Sequence, residues 1–144
     1  MVQLDKNNMP YELLAIPLVE SGYQVLPPNI NPVEAAGIWQ IIPQTPQKYD
    51  LVINGRRDDR MDTERSTQGA LAYLTKLHTQ FNNWGLAVSS YEIGEKNVAN
   101  LIQQTGSKNV WTLARSPQAP KDLGQFLATF DASLIIMKNP EILK

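Results

Sequence analysis

Glu20 is the residue whose surroundings could support acid chemistry. It follows the apolar run Leu13-Leu14-Ala15-Ile16-Pro17-Leu18-Val19 at the end of an expected helix, and the chain returns to an apolar, aromatic segment at Gly37-Ile38-Trp39-Gln40. A carboxyl that leaves an apolar helix end and faces a tryptophan-bearing segment is a candidate for a raised pKa, because desolvation disfavours its charged form. Kept protonated near neutral pH, it could act as a general acid. A plainer reading stands beside this one: a glutamate near a helix C-terminus is ordinarily a solvated surface residue. Other chemistries have few residues to draw on. There is no cysteine, so a disulfide scaffold and a thiolate metal site are both excluded, and a single histidine, His78, leaves little room for an imidazole-based metal site or a Ser-His-Asp relay. His78 reads as a polar residue on a helix flank, and neither a metal nor a cofactor is expected.

The elements that must position Glu20 follow from hydrophobic spacing and from prolines. Pro10 to Val19 reads as a helix with Pro10 at its first position and Pro17 weakening its last turn, which would fix the angle at which Glu20 leaves it. Val25 to Pro32, with three prolines, reads as a loop. Ile41 to Tyr49 should contain a short helical turn after Pro43. Asp50 to Arg60 reads as an irregular charged connection, and its Arg56-Arg57-Asp58-Asp59-Arg60 run is more readily a salt-bridged structural loop than a substrate contact.

Downstream, Asp62 is placed to cap a long helix through Ala70, Leu71, Tyr73, Leu74, Leu77, His78 and Phe81. Asn82-Asn83 should break it, Trp84 to Ile93 should form the next helix, and Gly94 should stop that one. Lys96 to Gln104 follows as an amphipathic helix, Val110 to Leu113 as a short apolar turn, and Ser116 to Pro120 as a linker. Asp122 to Lys138 returns to helix, with Leu123, Phe126, Leu127, Phe130, Leu134, Ile135 and Met137 as its apolar positions. Asn139-Pro140 ends it, because the residue before proline avoids the α region.

These elements fit a mainly α fold. With 144 residues and 42% hydrophobic residues the chain suits one domain with one core, spanning 1–144 with residues 1–9 flexible. Its net charge of −1, from 13 basic and 14 acidic residues, comes without a basic stripe, so neither nucleic acid nor an anionic membrane surface is indicated as a partner. No stretch reaches the roughly 20 apolar residues of a transmembrane helix. The polar start MVQLDKNN lacks the apolar core of a signal peptide.

Three ordered blocks carry a resemblance. Glu20-Ser21-Gly22-Tyr23, then Gly37-Ile38-Trp39-Gln40-Ile41-Ile42-Pro43, then Ser90-Tyr91-Glu92-Ile93-Gly94 follow the pattern E-S-x-aromatic, G-[LI]-[MW]-Q-[IM]-x-P and A-Y-N-x-G. That pattern resembles the lytic transglycosylases with a soluble-lytic-transglycosylase domain. The tail, Phe126-Leu127-Ala128 through Lys138-Asn139-Pro140-Glu141, is similar to the branch of membrane-bound murein transglycosylase D. The resemblance implies a lysozyme-like domain with a substrate groove, in which one Glu, here Glu20, cleaves the bond between MurNAc and GlcNAc in peptidoglycan. It also implies substrate-contacting roles for Ser21, Trp39, Gln40 and Tyr91, with Trp39 both walling the site and filling the core.

Two departures bear on activity. Asn31 stands where the family usually has a Ser near the catalytic carboxyl, in a connection two residues longer than usual. Glu92 replaces an Asn and could accept but not donate a hydrogen bond once ionised. If Glu92 points inward, its charge would raise the pKa of Glu20; if it points to solvent, it would not. The functions left open are an active lytic transglycosylase, a weakly active or inactive glycan-binding module of an envelope-spanning machine, and a water-using muramidase on the same fold. Glycan strands are the expected partner, with an envelope or secretion-machine protein as a further candidate. Family members work in the periplasm or cell envelope, so a chain without an export signal is expected to be an excised domain or to use another export route.

Overall fold

Apolar residues at helical spacing account for most of the architecture. The computed structural model describes residues 2–45 and 49–144, with only the backbone of Val2, and across them the chain is mainly α, as expected. Among the described residues the helices are α1 (Val2–Lys6), α2 (Ala15–Ser21), α3 (Thr63–Phe81), α4 (Trp84–Ile93), α5 (Glu95–Thr105), α6 (Val110–Ala114) and α7 (Asp122–Lys138). One antiparallel hairpin pairs β1 (Ile53–Asn54) with β2 (Arg57–Asp58). The chain forms two compact units, residues 1–73 and 74–144, with α3 running through the division.

In the first unit, residues expected to be flexible include α1, which is anchored because Leu4 is buried at 1% exposure. The helix expected from Pro10 to Val19 is instead a 3-10 turn, Tyr11–Leu14, followed by α2. Pro17 therefore lies in the first turn of α2 and not the last, where its missing N–H has no intrahelical partner to lose, and it introduces no kink beside Glu20. The exit of α2 is set by Gly22 in the left-handed conformation (φ 59°). Its N–H donates to the Leu18 carbonyl (3.0 Å), and that of Tyr23 donates to Pro17 (3.3 Å).

Residues 24–34 form the expected loop, interrupted by a 3-10 turn at Pro28–Ile30. The helical turn expected between Pro43 and Tyr49 falls partly on residues 46–48, outside the described residues. Before them the Thr45 N–H closes a turn on the Ile42 carbonyl (3.2 Å).

The segment expected to be irregular, Asp50 to Arg60, contains the β hairpin. Asn54 Oδ1 accepts the N–H groups of Arg56 and Arg57, both at 2.9 Å, and so shapes its turn. Asp62 caps α3 as expected, accepting the Arg65 N–H at 2.8 Å. At mid-helix, Gly69 allows Leu51 to pack so closely that a Cβ would stand 2.6 Å from Leu51 Cδ1.

The second unit is built from helices ended by their own caps. Asn83 caps α4 and Asn109 caps α6, each through its side-chain oxygen, while Gly106 in the left-handed conformation ends α5. The short apolar turn expected at Val110 is thus a five-residue helix. α4 packs against α5, α6 and α7, and α6 against α5 and α7. Leu86, Val98, Leu113 and Leu123 are fully buried. α7 buries Leu123, Phe126, Leu127 and Phe130, but Ile135 and Met137, expected on the same face, are 57% and 37% exposed. Ile135 falls off the three-and-four spacing that continues from Phe130 to Leu134, whereas Met137 keeps to it but stands one residue before the end of the helix.

Candidate active site

Glu20 is the penultimate residue of α2 and is half-buried. Its neighbour Ser21 fixes this helix end to the aromatic segment. The Ser21 hydroxyl lies 2.7 Å from the Ile38 carbonyl and 3.1 Å from that of Pro17, and its one hydrogen can be donated to either. Tyr23, which also has a positive φ (62°), turns back along α2 and donates its hydroxyl to the Leu14 carbonyl at 2.6 Å. Burial pushes the Tyr23 phenol above its ordinary pKa, so it stays protonated and can donate throughout the neutral range.

Residues 37–40 form a tight loop closed by an isolated antiparallel bridge between Ala36 and Ile41, with both N–H to carbonyl bonds at 3.1 Å. Gly37 is required there for two reasons. Its φ is 76°, and a Cβ would stand 1.8 Å from the Arg60 carbonyl oxygen. Its N–H also donates to the Leu26 carbonyl at 2.8 Å, tying the loop to residues that follow α2.

Gln40, half-buried with φ 48°, donates its side-chain Nε2 to the Gly37 carbonyl at 2.8 Å. That bond holds the amide over the loop and leaves its oxygen available as an acceptor. Trp39 points the other way: it is 1% exposed, and its indole N–H donates to Thr67 on α3 at 2.9 Å. This burial and this bond account for the core role expected of Trp39. Asn31 is bonded to Ala35 through both amide atoms, donating to its carbonyl and accepting its N–H, each at 2.9 Å. It closes the turn that leads into the loop.

The charged run proves to be a salt-bridged structure. Arg60, 3% exposed, pairs with both oxygens of Asp58, at 2.9 Å through Nε and 2.7 Å through Nη2. Asp59, 2% exposed, accepts from Arg57 Nη2 and from the Val52 N–H, both at 2.8 Å. Hydrogen bonding to Arg60 holds the Asp58 carboxyl below its ordinary pKa, and hydrogen bonding to Arg57 does the same for Asp59. An open cavity of about 560 Å³ lies in the same unit, but its polar lining, including Tyr49, Asp50, Asp62, Glu64 and Arg65, contains none of the expected site residues. Among the described residues no group of three or more His, Asp or Glu could hold a metal ion.

Residues 1–114 match the family model described as the transglycosylase SLT domain. The chain belongs to that family. This SLT domain is 36% identical over 138 residues to the membrane-bound lytic murein transglycosylase D of Escherichia coli strain K12, and equally to that of Escherichia coli O6:H1 strain CFT073. Each match covers 95% of this chain but 30% of the relative, so the chain spans less than a third of the proteins it resembles.

Within the SLT domain Glu20, Ser21, Asn31, Trp39 and Gln40 all belong to the first unit, where the bond from Ser21 to Ile38 links the helix end that carries Glu20 to the loop that carries Trp39 and Gln40. Tyr91 and Glu92 belong to the second unit, near the end of α4, with Tyr91 half-buried and Glu92 exposed. Sequence reasoning did not anticipate that Arg60 would reach the Gln40 loop. The signal was present in the spacing of Asp58 and Arg60, but nothing local shows which carbonyls a guanidinium will meet. No helix among the described residues is long and apolar enough to cross a membrane.

Proposed function

We propose that this SLT domain is a peptidoglycan lytic transglycosylase of the periplasm or cell envelope, acting as one lysozyme-like domain with Glu20 as its sole acid and base. Protonated Glu20 donates to the glycosidic oxygen as the bond from MurNAc C1 to GlcNAc O4 breaks. The resulting carboxylate then takes the proton of the MurNAc 6-hydroxyl as that oxygen bonds to C1, closing a 1,6-anhydro ring. The proton is returned to Glu20 and no water is consumed, so a second carboxylate nucleophile is not needed.

The observation that carries this reading is the bond from Ser21 to Ile38, which holds the Glu20 helix end to the Gln40 loop in a chain of the SLT family. The Gln40 amide is suited to a sugar hydroxyl or N-acetyl group. Tyr91 and Glu92 are proposed as substrate contacts on the strength of the family pattern alone.

Digestion of purified sacculi followed by mass spectrometry of the products tests the proposal. Anhydro ends are expected; reducing ends would make the protein a muramidase, and no products would leave a glycan-binding module. Glu20→Gln keeps the side-chain volume but cannot cycle a proton. It should lower cleavage by about 10² to 10⁴ with an unchanged circular dichroism spectrum. Wild-type cleavage by this variant would remove Glu20 from the mechanism.

A further inference from the structure

Arg60 meets the Gln40 loop at three places. Its Nη1 donates to the carbonyls of Glu34 (2.6 Å) and Ile41 (3.0 Å), which lie on either side of the loop. Its own carbonyl oxygen is the atom that forbids a side chain at Gly37. The remaining edge of the guanidinium faces Asp58, whose Oδ1 also accepts the Arg60 N–H at 3.0 Å. The fork thus engages one carboxylate and two backbone carbonyls, a geometry that the single ammonium of a lysine cannot reproduce. The loop held in this way presents the Gln40 amide and offers the Ile38 carbonyl to Ser21, the residue next to Glu20. A continuous series of contacts therefore runs from Asp58 through Arg60 and the loop to the end of α2.

We propose that Arg60, oriented by Asp58, is a positioning residue for glycan cleavage: it sets the loop that places Gln40 and, through the bond between Ile38 and Ser21, the helix end that places Glu20. The inference rests on the transglycosylase reading. An ion pair needed only for stability would not have to address carbonyls on both sides of one short loop. A small displacement of the loop would misplace two groups at the scissile bond together, and geometric errors of about 1 Å can cost about a hundredfold in rate.

The test compares wild type, Asp58→Asn and Arg60→Lys in turnover of soluble glycan strands, with rates corrected for the folded fraction. Amide hydrogen exchange at Ala36 and Ile41 is followed in parallel. Asp58→Asn should lower kcat by about ten- to a hundredfold, change KM less, and speed exchange at Ala36 and Ile41 relative to the amides of α4 and α7. Since both residues act through one link, Ser21→Ala should reduce kcat less in the Asp58→Asn background than in wild type. Unchanged kcat and exchange in folded Asp58→Asn, or strictly additive effects with Ser21→Ala, overturn the proposal. If Arg60→Lys does not fold, Asp58→Asn, which keeps the side-chain volume and one acceptor, decides alone. If wild type releases no glycan products the transglycosylase reading falls and the role in cleavage falls with it, while the exchange data still report whether the clamp exists.

Discussion

Between Asn31 and Arg60 side chains meet much of the backbone: Asn31 bonds Ala35, Gln40 bonds Gly37, Asn54 bonds Arg56 and Arg57, Asp59 bonds Val52, and Arg60 bonds Glu34 and Ile41. From Trp84 to Lys138 the backbone mostly satisfies itself within helices, with Asn83 accepting the Leu86 N–H at the start of α4 and Asn109 those of Trp111 and Thr112 at the start of α6. The difference is one of replaceability. In the helical region many apolar residues can fill a given space with moderate cost. In the loop region each bond depends on one side chain of one shape, and its loss leaves a polar group without its partner. The Gln40 loop lies in the second kind of structure, which can hold a geometry without a long regular element, and the candidate acid stands at the end of the short helix α2 that Ser21 ties to it.

Substitutions that act on one region and spare the other sharpen this contrast. The largest effect is expected at Gly37→Ala, which combines a positive φ with a Cβ driven into the Arg60 carbonyl. It should destabilise the protein by roughly 2–6 kcal/mol in denaturant unfolding and abolish glycan cleavage, the two penalties being backbone strain and overpacking. A loss below about 1 kcal/mol would show that the loop can move off Arg60 easily, against the tight approach described. Leu123→Ala in α7, where the leucine is fully buried, should cost about 2–5 kcal/mol. Below its melting transition, however, this variant should cleave glycan at the wild-type rate per folded molecule; a proportionate fall in kcat would erase the distinction between the regions. The smallest effect is expected at Ser90→Ala. The Ser90 hydroxyl is fully buried and meets no acceptor among the described residues, so its removal should raise stability by up to about 1 kcal/mol. Destabilisation instead would indicate that an internal water satisfies it.

The same contrast governs what could be read from the sequence. α7 begins and ends where its apolar spacing and Asn139-Pro140 place it, and α4 runs to Gly94 as expected, because periodicity and caps are local signals. The family pattern singles out Glu20 and Gln40 as candidates, and the structure adds why glycine opens the second block. What was not legible depends on long-range partners. Pro17 reads as a kink until the start of α2 is known. The hairpin is hard to read although Asn54-Gly55 is a recognised turn signal, because two-residue strands are too short to show alternation. That Asn31 would close a turn on Ala35, or that Arg60 would grip carbonyls 26 and 19 positions away, depends on how distant segments meet.

The stacked pair formed by His78 and Trp84, with ring centroids 4.0 Å apart and planes within 18° of parallel, has a consequence for how the molecule shines. An imidazole lying flat on an indole can take charge from its excited state, so His78→Leu should brighten the fluorescence of Trp84. Trp39, dry and bonded to Thr67, should emit at shorter wavelength and ignore that substitution. With Trp111 replaced by phenylalanine, each unit would carry one optical label of its own, and the order in which the two signals change on denaturation would show which part of the chain loosens first.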